Sequence, residues 1–292
     1  PVSPSSPPAA TALDATLAPL HGPRPGDGQL MSDEQIVTNT DKPAEKPAPG
    51  GWRTDAIEWG KTIIGAFAVY LAFTTVAFAN YRIPSESMVP HLEVGDRVVV
   101  SKFAYGYSRY SLPFDLGRLL PASAHRLFES LPKRGDVVVF VHPVSGEVLI
   151  KRAVGLPGDP IEVRDGFLWV NGVQAPVSGG QSVMRMSYQN GPEFVRRYEE
   201  ALPQGYTHAI DLFRDGGPFD NFGPYIVPPG HIFFMGDNRD NSNDSRSPEE
   251  GPAPIENLIG RAEVIYWVNP FPRCGRDPTV SCPISRWLKT LH

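Results

Sequence analysis

The sequence predicts an all-β body of antiparallel sheets with a smaller inserted β subdomain, preceded by one transmembrane helix and a disordered N-terminal tail. Three observations lead there. Thirty-two prolines and 28 glycines in 292 residues are too many for a helical protein and suit short strands joined by many turns. Short β-branched runs recur along the second two-thirds of the chain, and one long stretch near residue 70 carries no charge at all.

The tail is expected over residues 1–58. Up to about Gly51 it is rich in Pro, Ala, Ser and Gly without hydrophobic periodicity, so it cannot bury enough apolar surface to offset its ordering entropy. Met31 opens a more ordinary polar stretch, which suggests that residues 1–30 lie upstream of the native start. The anchor is expected over 59–81. From Thr62 to Ala79 no charge interrupts the apolar run, Lys61 and Arg82 bound it, and Trp59 and Tyr81 stand as interfacial anchors. Roughly 18 residues at 1.5 Å rise cover roughly 27 Å, close to the hydrocarbon thickness of a bilayer. A buried core helix of that length would ordinarily carry a charge, and a cleaved targeting peptide would not follow so many polar residues. Basic residues on the two sides, Lys46, Arg53 and Lys61 against Arg82, Arg97 and Lys102, are nearly balanced, so charge alone does not orient the span.

The body is expected over 82–292. Candidate strands begin at Arg97, Asp136, Val148, Phe167, His231 and Ala262. Gly95-Asp96, Gly135-Asp136, Asp165-Gly166, Asn171-Gly172 and Pro229-Gly230 supply the turn chemistry of antiparallel hairpins. Residues 172–225 are less regular and read as the inserted subdomain.

A net charge of −5 with scattered basic residues gives no electrostatic reason for a nucleic-acid partner. Two cysteines without neighbouring histidines do not make a zinc site, and no metal or cofactor is expected. Cys274 and Cys282, in a turn-rich segment, could close a small disulfide loop or remain two thiols; spacing alone does not decide.

Directly after the span, Ile83-Pro84-Ser85-Glu86-Ser87-Met88-Val89-Pro90 places two serines between two prolines that restrict the backbone, a rigid loop able to aim a hydroxyl. Further on come Arg134-Gly135-Asp136, then Ile150-Lys151-Arg152-Ala153-Val154-Gly155-Leu156-Pro157-Gly158-Asp159, then Gly236-Asp237-Asn238-Arg239-Asp240-Asn241-Ser242-Asn243-Asp244-Ser245-Arg246. No Gly-x-Ser-x-Gly elbow is present, and none of the seven histidines stands in a block that reads as a triad partner.

In these four ordered blocks, and in the apolar span before them, the sequence resembles the bacterial type I signal peptidases, or leader peptidases, from the span to Trp267. The resemblance implies a serine endopeptidase that cleaves signal peptides from exported preproteins at Ala-x-Ala type sites. Ser87 would be its nucleophile and Lys151 its general base. A serine hydroxyl needs a base with a pKa near working pH, and burial in an apolar strand is what lowers a lysine into that range. By the same resemblance Ser85 would complete the oxyanion hole with the Ser87 N–H, Ser242 would hydrogen-bond and orient Lys151, and Asp244 and Arg246 would form a supporting ion pair. Met88, Leu92, Leu149 and Ile150 match small-residue pocket positions, with Tyr81, Ile83 and Val139 as outer wall. The aromatic run Phe103, Tyr105, Tyr107, Tyr110 would either rest on a membrane surface or serve as strand aromatics. The implied setting is the bacterial inner membrane, single-pass, with the N-terminus cytoplasmic and the body periplasmic, against the lipid bilayer and near the secretion translocon. That compartment would favour the Cys274–Cys282 disulfide. The chain departs from the family pattern at Leu149, where an aromatic is common, at Glu86, where glycine is frequent, and after Arg246. A tethered β domain that binds exported proteins without cutting them is the rival from another class.

Overall fold

The structure, a computed structural model, describes residues 51–112, 117, 119–121, 126–213, 217–268 and 286–291. The expected tail up to residue 50 and the Cys274–Cys282 pair lie outside the described residues.

The first element is a helix, α1, Trp52–Val76. Ile63, Ile64, Phe67, Val69, Tyr70 and Phe73 are all exposed on it, and none of its most apolar stretch, Trp52–Thr74, is buried. At 1.5 Å per residue the helix measures roughly 37 Å, enough to cross a bilayer. Its end is earlier than hydropathy suggests. Residues Phe78–Arg82 form a strand, β1, because their backbone is captured by β2 (Arg97–Ser101) in antiparallel register from Phe78↔Ser101 to Arg82↔Arg97. Lys102 N–H donates to Ala77 O at 2.9 Å and closes the junction. Tyr81, expected as an interfacial anchor, therefore sits in β1 and packs on the core of the body. Apolar composition does not distinguish the last turn of a span from an edge strand.

The remaining strands are β3 (Val137–Val141), β4 (Val148–Gly155), β5 (Pro160–Arg164), β6 (Phe167–Val170), β7 (Val173–Gln174), β8 (Val177–Ser187), β9 (Gly191–Ala201), β10 (Thr207–Leu212), β11 (Phe222–Ile226), β12 (His231–Met235), β13 (Ala253–Pro254) and β14 (Leu258–Trp267). They make a seven-stranded sheet in the order β1-β2-β14-β3-β4-β12-β13, a four-stranded sheet β11-β5-β6-β7 and a three-stranded sheet β10-β9-β8, with every named pair antiparallel. Two-residue turns at Asp165-Gly166 and Asn171-Gly172 join β5, β6 and β7, all four residues having positive φ as a hairpin of the right twist requires. Strand β11 pairs with β5, so the four-stranded sheet takes residues from Pro160 onward as well as from within 172–225.

Strand β3 explains how the large sheet is buried. All five of its residues are buried, and period-2 alternation sends Val137, Val139 and Val141 into one core with Ile83, Met88, Leu92, Val98, Val100 and Ile150. Val138 and Phe140 go to the other face, with Ala153, Ile232, Phe234 and Leu258. The aromatic run is divided in the same way: Tyr105 is buried and donates to Asp136 Oδ2 at 2.9 Å, whereas Phe103 is exposed and meets Phe78 edge to face.

The ladder also leaves an opening. Strand β4 is paired to β3 along its length, from Arg152↔Val137 to Val148↔Val141, but to β12 only between Arg152 and Gly155. Strand β1 pairs with β2 and is an edge of the sheet. Unpaired backbone on such edges is a ready template for an added strand.

Candidate active site

The loop that follows β1 returns on itself through short backbone bonds. Val89 N–H donates to Glu86 O at 3.1 Å, and His91 and Leu92 N–H both donate to Met88 O at 2.9 Å. Met88 and Leu92 are thereby buried in the first core and Ser87 is held at its border. Lys151 comes from β4, 64 positions away, and its Nζ donates to Ser87 Oγ at 2.8 Å. Ser85 Oγ lies 3.3 Å from Ser87 Oγ and is exposed on the open side.

Lys151 is 4 % exposed and shares its surroundings with Phe140, Leu149, Phe234, Asp244 and Ser245. Phe140 and Phe234 stack at 4.3 Å between centroids. Burial pushes the Lys151 ammonium below the ordinary lysine value, and the carboxylates of Asp244, Glu250 and Asp237 only partly offset it. A lysine so placed can exist as a neutral amine, in which state the hydrogen bond reverses and Ser87 O–H donates to Nζ.

Asp244 and Arg246 form a bidentate pair, Nε to Oδ1 and Nη2 to Oδ2 both at 2.8 Å, fully buried. Gly236 N–H also donates to Asp244 Oδ2 at 2.9 Å. Burial acts to raise the Asp244 carboxyl, but Arg246 and these hydrogen bonds hold it below the usual range. The expected Ser242–Lys151 hydrogen bond is not formed. Lys151 Nζ is engaged by Ser87, and Ser242 Oγ is buried without a hydrogen-bond partner among the described residues. Ser242 is instead seated against Gly236. A Cβ on Gly236 would stand 2.2 Å from Ser242 Oγ and 2.4 Å from Ser87 O, so only glycine allows both serines to approach this strand end. Gly236→Ala is therefore expected to displace Ser87, lowering activity at least about tenfold and stability by about 1–3 kcal/mol, measured by peptide cleavage and thermal melting of the same preparation.

Of the residues expected to form the pocket, Ile83, Met88, Leu92, Val139 and Ile150 share the first core with Tyr81 packed on it. Leu149 does not join them. Alternation along β4 turns it to the opposite face, beside Phe140 and Phe234, where it covers the stem of Lys151. Farther from Ser87 a cavity of about 680 Å³ is lined by Tyr81, Tyr110, Val141, Val148 and Ile259 with Lys102 and Arg109.

The polar block beginning at Gly236 acts as a clamp. Asn238 N–H donates to Ser87 O at 3.1 Å and its side-chain amide donates to Glu86 O at 3.0 Å. Asp237 accepts from Arg152 at 2.8 and 2.7 Å, and His91 Nδ1 lies 3.1 Å from it. Arg239 pairs with Glu200. His91 and Glu200 were not legible as site residues, since each meets its partner only across the fold.

A family profile described as signal peptidase, peptidase S26, matches residues 56–267. A signal peptidase I of Rickettsia bellii (strain OSU 85-389) is 33 % identical over 225 residues, 74 % of this chain and 74 % of that one. A signal peptidase I of Pseudomonas aeruginosa is 34 % identical over 237 residues, 77 % of each chain. A crystal structure of a signal peptidase I from Enterococcus faecalis V583 is 24 % identical and covers 45 % of this chain and 97 % of its own, at a TM-score of 0.27. With a matched segment that runs from within α1 to the end of β14 and relatives of this identity over three-quarters of their length, the chain belongs to the signal peptidases of peptidase family S26.

Proposed function

We propose that the protein is a membrane-bound serine endopeptidase that removes N-terminal signal peptides from exported preproteins after small residues, using Ser87 as nucleophile and Lys151 as general base. The observation that carries this reading is the 2.8 Å contact between Ser87 Oγ and a buried Lys151 Nζ.

In the proposed reaction an extended peptide adds its backbone to the open edges of β1 and β4, and its small side chain before the scissile bond packs against the core that holds Ile83, Met88, Leu92 and Ile150. A larger side chain would overpack residues that are already buried. Neutral Lys151 takes the Ser87 proton as Oγ attacks the carbonyl, then delivers it to the departing amine; the same amine activates water to hydrolyse the ester. The Ser87 N–H and the Ser85 hydroxyl would face the developing oxyanion, which such donors stabilise by about 3–4 kcal/mol each. Asp244 and Arg246 hold the strand end behind Lys151, and the Ser242 hydroxyl would receive the lysine when Ser87 is acylated.

The division of the chain that goes with this reading is a tail, an anchor within α1 and a catalytic body after it. The body would stand outside the inner membrane of a bacterium, with the N-terminus cytoplasmic, where preproteins emerge from the translocon and where α1 finds lipid for its exposed apolar surface.

The test is cleavage of a preprotein with an Ala-x-Ala site by the purified full chain in detergent, with sequencing of the product's new N-terminus. Wild type is expected to cut after the second alanine and Ser87→Ala to be inactive. Undiminished cleavage by Ser87→Ala would overturn the nucleophile assignment, and no cleavage by wild type would favour a binding domain.

A further inference from the structure

Glu86, between the two serines, is buried, and its carboxylate is engaged from outside its own loop. Oε2 accepts from Ser187 Oγ at 3.0 Å and from Asn241 Nδ2 at 3.3 Å, and Oε1 accepts from Tyr188 N–H. Ser187 ends β8, and its hydroxyl also accepts from Gln189 and Asn190 N–H, both at 3.2 Å, so the whole β8–β9 turn is organised around the carboxylate. A buried acceptor with three donors is a strong tether, and its partners are 101 to 155 positions away in sequence. The Tyr188 ring is left 56 % exposed. Next to the turn a hollow of about 220 Å³ is lined by Arg185, Asn190, Glu193, Phe213, Asp240 and Asn241.

Between β1 and the β3–β4 hairpin lies the cavity lined by Tyr81, Val141 and Val148, and β1 follows α1 in the chain. That side takes the signal peptide if the proposed function holds, and this inference rests on that reading. The β8–β9 turn and Asn241 reach the serine loop from the three-stranded sheet and the Gly236 block, and they line no part of that cavity. We propose that Glu86 latches the β8–β9 turn beside Ser87 as the wall that reads the residues following the scissile bond. Tyr188 meets the first apolar or aromatic side chain of the mature segment, and the adjoining polar hollow takes a following polar one. Glycine at position 86 would leave the turn untethered, so this preference belongs to chains that carry the glutamate.

The test compares wild type, Glu86→Gly and Tyr188→Ala on quenched fluorogenic peptides that share one Ala-x-Ala site and differ only at the two residues after the bond. Wild type is expected to rank these peptides, and both variants to flatten the ranking by roughly fivefold or more in kcat/KM, mainly through KM. A parallel set differing only before the bond should keep its ranking in Tyr188→Ala. An unchanged ranking after the bond in Tyr188→Ala overturns the inference, even if Glu86→Gly does not fold. Failure of wild type to cut any peptide removes the Ser-Lys reading and this inference with it, an outcome distinct from cleavage without preference.

Discussion

Lys151→Met is expected to lower kcat/KM for preprotein cleavage by about a thousandfold or more while leaving the protein folded. Methionine has nearly the length of lysine and suits the apolar surroundings made by Phe140, Leu149 and Phe234. What would be lost, on the proposed reading, is the amine that accepts the Ser87 proton. Wild-type activity should follow a rising limb with pH, because the ammonium form cannot act as base, and burial places the midpoint below the ordinary lysine value. Thermal stability should move in the same direction. The folded state resists protonating Lys151, so between its lowered pKa and the ordinary value the unfolded chain binds the extra proton, and wild-type stability rises with pH. The methionine variant carries no such burden and should melt no lower than wild type at neutral pH. A pH–rate profile and melting curves on both proteins check the two statements; a variant that is inactive because it is unfolded would refute them together.

Asp237→Ala is expected to be the most destabilising single change in the body, by about 3–5 kcal/mol. Its carboxylate receives two hydrogen bonds from Arg152, which is 2 % exposed, and His91 stands beside it. Removing it leaves a guanidinium buried with Gly135 O, at 2.7 Å, as its remaining acceptor. For a body of this size the melting temperature should fall by roughly 10 °C or more. Arg152→Met added to Asp237→Ala should recover part of the loss, since replacing both members of a buried pair costs less than orphaning one. Burial alone would raise the Asp237 carboxyl, but Arg152 first, then His91 and His208, hold it below the usual carboxylate range. Its contribution is therefore present above about pH 4, the ordinary carboxylate value, and is lost only as pH falls through the depressed pKa. Melting curves between pH 4 and 8 should show no loss of this pair. Because Arg152 follows Lys151 on β4 and Asp237 follows Gly236 at the Ser87 carbonyl, the variant should also lose activity, in kcat more than in KM.

The sequence alone determined the features that depend on neighbours along the chain. Asn171-Gly172 and Asp165-Gly166 demand positive φ locally, and they became hairpin turns. The uncharged run after Lys61 demands a helix with apolar surroundings, and α1 is that helix. Ser87 and Lys151 were singled out because their flanking blocks are long and ordered, and the fold brings Ser87 Oγ and Lys151 Nζ to 2.8 Å. Tertiary structure decided what depends on residues far apart in the chain. Helix α1 ends at Val76 because a ladder with β2 competes for the next residues, which hydropathy does not register. Leu149 and Ile150 are equivalent by composition, but the pleat of β4 sends one to the lysine and the other to the core with Met88 and Leu92. Glu86 with Tyr188, Asp237 with Arg152 and Glu200 with Arg239 are charge and hydrogen-bond pairs separated by 102, 85 and 39 positions. A periodic pattern reports which face of a strand is apolar, and it carries no information about which distant strand will supply the partner for a buried charge; closure of the sheets makes that choice.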